Sequence, residues 1–249
     1  MGPKIILLSF IIFLFANMSM AGSFWPVFQR DFHHTGFAPV TTAESPELLW
    51  QQPMVNDAGD SHLVLSDDGS IWTVGFMAGK YSPNGDHTLL VNLTMDVGIQ
   101  GQFSIIGGSP VLLSDGTLIA TGNAGQRPDA AQVLFAIGPD GDLDWTFELS
   151  RNPSAIRGFI TLGPDESIYA GRLTKLFAIS HDSGTPALIW SYDCDANVTS
   201  IPGVASDGTV YFGAANGLLY SVSSEGSLNW SFAPTSDIRP EINSAPTIG

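Results

Sequence analysis

The sequence predicts an all-β fold, a β-propeller of four-stranded blades whose ring is incomplete. Two observations lead to this prediction. A short pattern of turn and strands recurs roughly every 45 residues, and a period of that length is typical of propellers and other repeat arrays. The apolar segments between the turns are short and rich in Val, Ile, Leu, Phe and Tyr, and after residue 21 no stretch keeps a helical period for more than two turns.

Each repeat opens with a tight acidic turn that leads into an apolar strand. The four turns, each with the beginning of the strand that follows it, are residues 66–72, 114–120, 164–170 and 206–212. In three of them Gly follows Asp, because Gly supplies the positive φ of a tight hairpin and Asp caps the turn backbone. The third turn has Glu166 in place of that glycine. We therefore expect this turn to adopt a different geometry.

Each repeat closes with two further strands and usually a tryptophan. Trp145, Trp190 and Trp230 end the second, third and fourth repeats, whereas the first repeat has Leu93 near the corresponding place. Strands such as Leu118–Ala120 are apolar throughout instead of alternating. Continuously apolar strands are expected where both faces of a sheet are covered, as they are when a blade lies between two others.

The chain divides into three parts. Residues 1–21 combine a basic start, an apolar run and small residues before a cleavage position, which is typical of a signal peptide, and the run is shorter than a membrane span of roughly 20 residues. Residues 22–50 form an entry segment, and residues 51–249 form four propeller repeats and the start of a fifth at 244–248. We expect export to the periplasm, the cell surface or the extracellular space, no membrane-spanning segment, and a chain that stops within its fifth repeat.

Composition narrows the choice of partners. The sequence has 24 Asp and Glu against 9 Lys and Arg, a formal net charge of −15. Such a charge repels nucleic acid and anionic lipid, so neither is an expected partner, whereas cationic ligands and divalent ions remain open. Cys194 is the one cysteine of the sequence. The chain therefore has no internal disulfide, and no cysteine near the cleavage position for a lipid anchor.

The repeats and the entry segment together resemble one known family. The order strand, Asp-Gly turn, strand, strand and Trp is similar to that of the pyrroloquinoline-quinone-like (PQQ-like) β-propeller repeat, over nearly all of the chain after residue 21. The entry segment has the opening often found in that family, Trp25-Pro26-Val27-Phe28, Asp31, His34-Thr35-Gly36 and Pro39. The resemblance implies four-stranded blades with tryptophans docked between neighbouring blades. It assigns that docking role to Trp50, Trp145, Trp190 and Trp230.

The resemblance implies a fold more than a function. The family holds quinoprotein dehydrogenases, the lipoprotein of the outer-membrane barrel assembly machinery and many uncharacterised exported proteins. Quinoprotein alcohol dehydrogenases usually have an adjacent cysteine pair against the quinone, and the barrel-assembly lipoprotein needs a cysteine after its leader. This sequence has no adjacent cysteines, and Gly22 stands after the expected cleavage position.

Few residues are candidates for chemistry. Asp140, Asp142 and Asp144 alternate ahead of a closing tryptophan, and alternate carboxylates can offer several oxygens to Ca²⁺. They are weak metal candidates, because the rest of a calcium loop is missing and a solvated hairpin is the simpler explanation. The neighbouring His33 and His34 point to opposite sides of an extended segment, so we expect them to have a structural role.

The repeat accounts for almost every recurring residue, and the remaining residues form no recognisable catalytic set. The sequence therefore favours an exported, non-catalytic propeller scaffold that binds a protein or a ligand and needs no cofactor. One alternative is a PQQ-dependent oxidoreductase, or a fragment of one, which holds the quinone over a calcium ion. Another is a cell-surface or polysaccharide-binding module, which requires exposed aromatic side chains.

Overall fold

The computed structural model describes residues 27, 31–34, 48–51, 63–74, 77–93, 110–124, 131–151, 158–233 and 240–249. Within these ranges the chain forms sixteen β-strands and one short 3₁₀ helix, Asp182–Gly184. The described residues contain no helix that is long and apolar enough to cross a membrane. The leader predicted at 1–21 lies outside the described residues, as does most of the entry segment predicted at 22–50. Both boundaries stay predictions.

The strands form four sheets, each an antiparallel meander, which we number as blades 1 to 4 in chain order. Blade 1 contains β1 (Val64–Leu65), β2 (Ile71–Val74), β3 (Met77–Tyr81) and β4 (His87–Asn92). Blade 2 contains β5 (Val111–Leu112), β6 (Leu118–Ala124), β7 (Ala131–Ile137) and β8 (Leu143–Ser150). Blade 3 contains β9 (Phe159–Leu162), β10 (Ile168–Arg172), β11 (Lys175–Ser180) and β12 (Ala187–Asp193). Blade 4 contains β13 (Gly203–Val204), β14 (Val210–Gly213), β15 (Leu219–Val222) and β16 (Leu228–Phe232).

This architecture confirms the predicted all-β propeller of four-stranded blades. Its core lies between successive blades. The side chains of β6 alternate between the two sides of the sheet: Leu118 and Ala120 pack toward blade 1, and Ile119 packs toward blade 3. Trp72 and Phe135 are fully buried between blades 1 and 2. Both faces of blade 2 are therefore covered, as its continuously apolar strands predicted.

The acidic turns between the first two strands share one backbone geometry. Gly69, Gly116 and Gly208 have φ of 78°, 89° and 82°, and Glu166 has φ of 62°. The amide of Glu166 donates to the carbonyl of Gly163 at 3.0 Å, as the amide of each turn glycine donates to the residue three positions earlier. The expectation that the Glu166 turn has a different geometry is therefore wrong.

Leu89, and not Leu93, occupies the tryptophan position of blade 1. The register of the outer strand pair shifts at the same place in every blade, and Leu89 pairs with Lys80 beside this β-bulge as Trp190 pairs with Ala178. Leu93 follows β4 and is fully buried. The assignment to Leu93 was wrong because the position beside the β-bulge, and not the end of the strand, corresponds to the tryptophan.

Two segments far apart in the sequence meet at the inner strands. In the entry segment, the carbonyl of Phe32 accepts a hydrogen bond from the amide of Val204 in β13, at 2.8 Å. The amide of Ile248 donates to the carbonyl of His33 at 2.9 Å. Residues 240–249 form no strand. Phe32 and His33 thus connect β13 of blade 4 to the last residues of the chain.

Candidate functional site

One end of the propeller carries eight acidic hairpins. In a four-stranded meander the turns after the first and third strands lie at the same end, so the four described blades bring eight turns together. Each turn contains Asp or Glu, and none contains Lys or Arg. The eight turns are residues 66–70, 82–86, 113–117, 138–142, 163–167, 181–184, 205–209 and 223–227. We call this end of the molecule the hairpin end.

The first hairpin of each blade holds its aspartate in the same way. One carboxylate oxygen accepts a hydrogen bond from the backbone N–H two residues later, at 2.8 to 3.1 Å. The four pairs are Asp68 with Ser70, Asp115 with Thr117, Asp165 with Ser167, and Asp207 with Thr209. Hydrogen bonds from the Ser66 hydroxyl and the Thr209 amide lower the pKa of Asp68 and Asp207, respectively, because they stabilise the ionised form. Asp68 and Asp207 are therefore charged at neutral pH.

Asp140, Asp142 and Asp144 lie at the second hairpin of blade 2, the turn that joins its third and fourth strands. All three side chains are exposed. A Cβ on Gly138 would lie 2.8 Å from a carboxylate oxygen of Asp140 and 3.2 Å from those of Asp144, so these two side chains share one side of the turn. Desolvation, followed by the charges of Asp140, Asp115 and Asp142, raises the pKa of Asp144. Within the described ranges no three His, Cys, Asp or Glu side chains are placed to hold one metal ion. A calcium role for these aspartates stays a prediction.

A cleft of about 240 Å³ opens between the first hairpins of blades 1 and 2. Trp72 and Leu112 line its apolar side, and Asp67 and Asp115 line its polar side. The ammonium of Lys80 lies 5.3 Å from the centroid of the Trp72 ring, within the range of a cation–π contact. The buried indole N–H of Trp72 has no hydrogen-bond partner among the described residues. We call this space the open cleft.

The corresponding space between blades 2 and 3 is bridged by Glu166. One of its carboxylate oxygens accepts a hydrogen bond from the amide of Ser114 at 2.7 Å, and the other accepts one from the Ser114 hydroxyl at 3.1 Å. A non-glycine residue in the left-handed region costs roughly 1–2 kcal/mol, and hydrogen bonds to a charged acceptor offset that cost. Sequence reasoning missed this link between blades, although the missing turn glycine marked its position.

A second cavity, of about 360 Å³, lies beside the second hairpin of blade 3. Asp165, His181 and Asp182 line it together with Ile189, which is half-exposed. Like the open cleft, it combines carboxylates with an apolar surface. Both cavities lie at the hairpin end.

Two of the four tryptophans assigned to docking contact a second hairpin in the same way. The indole N–H of Trp50 donates to the carbonyl of Pro83 at 2.8 Å, and that of Trp190 donates to the carbonyl of Ser224 at 2.7 Å. Trp50 contacts blade 1, and Trp190 of blade 3 contacts blade 4. Each tryptophan therefore joins one segment of the chain to the next blade.

A glycine with positive φ lies beneath each of these rings. A Cβ on Gly85 or Gly226 would come within 2.5 or 2.8 Å of the indole above it, and one on Gly141 would come within 2.7 Å of Leu89. A larger residue at these positions would overlap the side chain that covers it. The glycines are thus required both by backbone conformation and by space.

The other two tryptophans differ from each other. Trp145 is buried between blades 2 and 3, whereas Trp230 is 44% exposed on the outer strand of blade 4. The interblade docking role assigned to all four tryptophans stays a prediction, to which the contacts of Trp50 and Trp190 give a geometry.

The adjacent histidines of the entry segment have different partners. Nε2 of His33 lies 3.2 Å from the hydroxyl of Ser206 at the hairpin end. His34 is buried, with Nδ1 at 3.1 Å from the carbonyl of Pro246 and Nε2 at 3.4 Å from the hydroxyl of Thr161. Burial lowers the pKa of His34. The ring of His33 therefore contacts the first hairpin of blade 4, whereas the ring of His34 connects the last residues of the chain to blade 3.

Among the described residues, the basic side chains lie away from the hairpin end, with Lys80 as the exception. Arg172 ends β10 and is 1% exposed, and burial lowers its pKa. Lys175 begins β11 and Arg151 follows β8, both at the opposite end of their strands. In the part of the chain that the structure describes, the two ends of the propeller therefore differ in charge.

The four stacked meanders make this protein a β-propeller, and solved structures show the same fold. BamB from Moraxella catarrhalis superposes with a TM-score of 0.52 at 16% identity, over 76% of this chain and 56% of that one. A protein of unknown function from Bacteroides caccae superposes with a TM-score of 0.50 at 11% identity, over 85% of this chain and 70% of that one. The chain thus spans little more than half the length of BamB, and at these identities the likeness shows the fold alone. No family model and no curated protein matches the sequence, so membership of the PQQ-like family stays a prediction.

Proposed function

We propose that the protein is an exported, non-catalytic β-propeller scaffold that binds a cationic protein through its hairpin end. The observation that supports this proposal is the charge of that end: eight hairpins from four blades all carry a carboxylate, and none carries Lys or Arg. Export rests on the leader predicted at 1–21. The scaffold reading is in keeping with the propeller fold shared with BamB.

An excess of negative charge at one end of the molecule steers a positively charged partner toward it. Such steering acts mainly on the rate of association and on specificity, and it weakens as salt is added. The turn aspartates are held by backbone hydrogen bonds. They are therefore already ordered before a partner arrives, so less side-chain freedom is lost on binding.

The open cleft gives this end an apolar contact as well. Trp72, Leu112 and Pro139 line a space of about 240 Å³ between acidic turns. Interfaces usually gain most of their affinity from a few buried anchors surrounded by polar groups. A side chain of the partner that enters the cleft would supply such an anchor.

Matched charge removal tests the proposal. Replacing three hairpin-end carboxylates together, Asp67→Asn, Asp140→Asn and Glu225→Gln, is expected to weaken binding of an oligolysine peptide several-fold at low salt and to flatten its salt dependence. The control removes three exposed carboxylates elsewhere, Glu148→Gln, Asp195→Asn and Glu241→Gln. Calorimetric titration with the peptide at several salt concentrations measures the binding affinity of each triple variant. Equal losses for the two variants would show that net charge, and not the hairpin end, attracts the peptide, and would contradict the proposal.

The proposal that the protein is not an enzyme is tested separately. Adding PQQ and Ca²⁺ to the purified protein is expected to produce neither a bound quinone spectrum nor alcohol-dependent reduction of a dye. Saturable quinone binding with turnover would instead favour a PQQ-dependent oxidoreductase.

A further inference from the structure

The sequence contains two Asn-Gly pairs, Asn84-Gly85 and Asn216-Gly217, and each lies in a turn between two strands. Asn84 belongs to the second hairpin of blade 1, and Asn216 belongs to the turn that joins β14 to β15. In both pairs the glycine has positive φ, 86° and 70°, and its amide donates to the carbonyl three positions earlier, at 2.9 and 3.0 Å. Because the glycines share this conformation and this hydrogen bond, the two asparagines can be compared directly.

Asparagine is a chemically labile residue, and a following glycine favours the loss of its side-chain amide. The backbone nitrogen of the glycine loses its proton and attacks the side-chain carbonyl carbon, Cγ, of the asparagine, and no Cβ hinders its approach. The N–Cγ bond forms, the Cγ–Nδ2 bond breaks, and ammonia leaves with the proton. Water then opens the resulting succinimide at one of its two carbonyls, which leaves either aspartate or isoaspartate.

The two asparagine side chains are held differently. Nδ2 of Asn216 donates to the hydroxyl of Tyr220 at 2.8 Å, and its Oδ1 accepts a hydrogen bond from the amide of Leu218 at 3.1 Å. Asn84 is exposed, and its side chain has no hydrogen-bond partner among the described residues. The side chain of Asn84 is therefore free to turn toward the glycine nitrogen, whereas that of Asn216 must first leave two partners.

The backbone around the two pairs differs in the same sense. Attack requires the turn to open locally and release the glycine amide. Beside Asn216, the amide of Ala215 donates to the carbonyl of Asn197 at 2.8 Å, and the neighbouring Ala214 is fully buried. The turn around Asn84 lies at the exposed hairpin end. Opening is therefore less costly at Asn84.

Trp50 is the contact that restrains the turn around Asn84. Its indole N–H donates to the carbonyl of Pro83 at 2.8 Å, and a Cβ on Gly85 would come within 2.5 Å of its ring. The ring thus lies directly on the turn and favours its closed form. Isoaspartate would add one methylene group to the backbone between Pro83 and Gly85, the two residues that Trp50 contacts. A turn lengthened in this way no longer fits the ring.

We propose that Asn84 is a site of spontaneous deamidation in the folded protein, that Trp50 restrains the reaction, and that isoaspartate at this position releases Trp50 from blade 1. Either product also adds one negative charge to the hairpin end. The inference rests on the chemistry of one turn, so failure of the proposed function would leave it unaffected.

The relative rates of the two asparagines test the first part. The intact protein is kept in mildly alkaline buffer, and mass spectrometry of its peptides measures deamidation at each site. We expect Asn84 to react several-fold faster than Asn216 in the folded protein, and the two rates to become similar in denaturing guanidinium chloride. Equal rates in the folded protein, or a difference that persists in the denaturant, would overturn the proposal.

Two variants separate the causes. Tyr220→Phe removes the acceptor of the Asn216 amide, so it is expected to speed deamidation of Asn216 and to leave Asn84 unchanged. Trp50→Ala is expected to speed deamidation of Asn84 several-fold and to leave Asn216 unchanged. An unchanged rate at Asn84 in the Trp50→Ala variant would overturn the restraining role of Trp50.

Release of Trp50 has a separate readout. Acrylamide quenching of Trp50 is obtained as the difference between each protein and its Trp50→Phe variant. We expect this quenching to rise in step with the isoaspartate at residue 84, which electron-transfer fragmentation distinguishes from aspartate. Asn84→Gln is the matched control, and its Trp50 quenching should stay constant over the same period. Isoaspartate at residue 84 with unchanged quenching of Trp50 would overturn the release.

Discussion

The open cleft between blades 1 and 2 and the bridged space between blades 2 and 3 have the same backbone but different contents. Gly116 and Glu166 occupy the same turn position, with φ of 89° and 62°. Glu166 reaches across to Ser114 and links its blade to the preceding one, whereas Gly116 has no side chain and leaves about 240 Å³ beside Trp72. In this repeat, one turn residue decides whether neighbouring hairpins are joined or leave room, while the fold stays the same.

The largest expected effect concerns the wall of the open cleft. Trp72 is fully buried, so Trp72→Ala is expected to lower the free energy of unfolding by roughly 3–5 kcal/mol, as removal of a large buried aromatic usually does. Urea denaturation of the original protein and of the Trp72→Ala variant measures this loss of stability. Trp230→Ala is the control and should cost less, because that ring is 44% exposed. Equal costs would mean that the cleft wall is not tightly packed.

The bridge in the other space is tested by two substitutions of one residue. Glu166→Ala removes both hydrogen bonds to Ser114 and keeps a side chain at φ of 62°, so we expect a loss of about 1–3 kcal/mol. Glu166→Gly removes the same bonds but relieves the backbone strain, and should be the more stable of the two variants by about 1 kcal/mol. The denaturant midpoints of the two variants show which of them is more stable. The opposite order would show that the turn is not strained.

The reverse experiment introduces a bridge into the open cleft. Gly116→Glu is expected to cost about 1–2 kcal/mol, because Gly116 has φ of 89° and the new carboxylate faces Asp67. A Cβ there would lie 3.5 Å from Pro139, so space is not limiting. Adding Asp67→Ser copies the position of Ser114 and should recover part of the loss. A double-mutant cycle with no favourable coupling between the two changes would contradict the bridging role of the turn residue.

The smallest expected effect is electrostatic and concerns Asp144, near the open cleft. Desolvation and the neighbouring aspartates raise its pKa, so the folded state binds a proton more readily than the unfolded state. The ionised form therefore lowers stability at neutral pH, and this cost vanishes as the pH falls below the ordinary value of 3.8.

Asp144→Asn is accordingly expected to raise the free energy of unfolding at neutral pH, by no more than about 0.5 kcal/mol because solvent screens this exposed side chain. It should have no effect in acid. Asp193→Asn, at the opposite end of the molecule, is the control. A stabilisation that persists below the ordinary pKa of Asp would rule out the electrostatic cause.

The sequence predicted the features that depend on neighbouring residues and missed those that depend on packing between blades. Turn glycines and continuously apolar strands are local requirements, so the four-stranded blades followed from them. The bridge from Glu166 to Ser114 joins residues 52 positions apart and depends on how two blades stack. Leu89 could have been found from its distance to Gly85, which equals that from Gly141 to Trp145.

The contact between the two ends of the described chain bears on the order of folding. Each blade is a meander of neighbouring strands, which can form from contacts close in sequence. His34 and Pro246, by contrast, are 212 residues apart, and their contact closes a loop around all four blades. Because contacts that close long loops are slow to form, we expect this one to be made after the folding barrier has been crossed. Changes at His34 should then act mainly on the rate at which the protein unfolds, and hardly on the rate at which it folds.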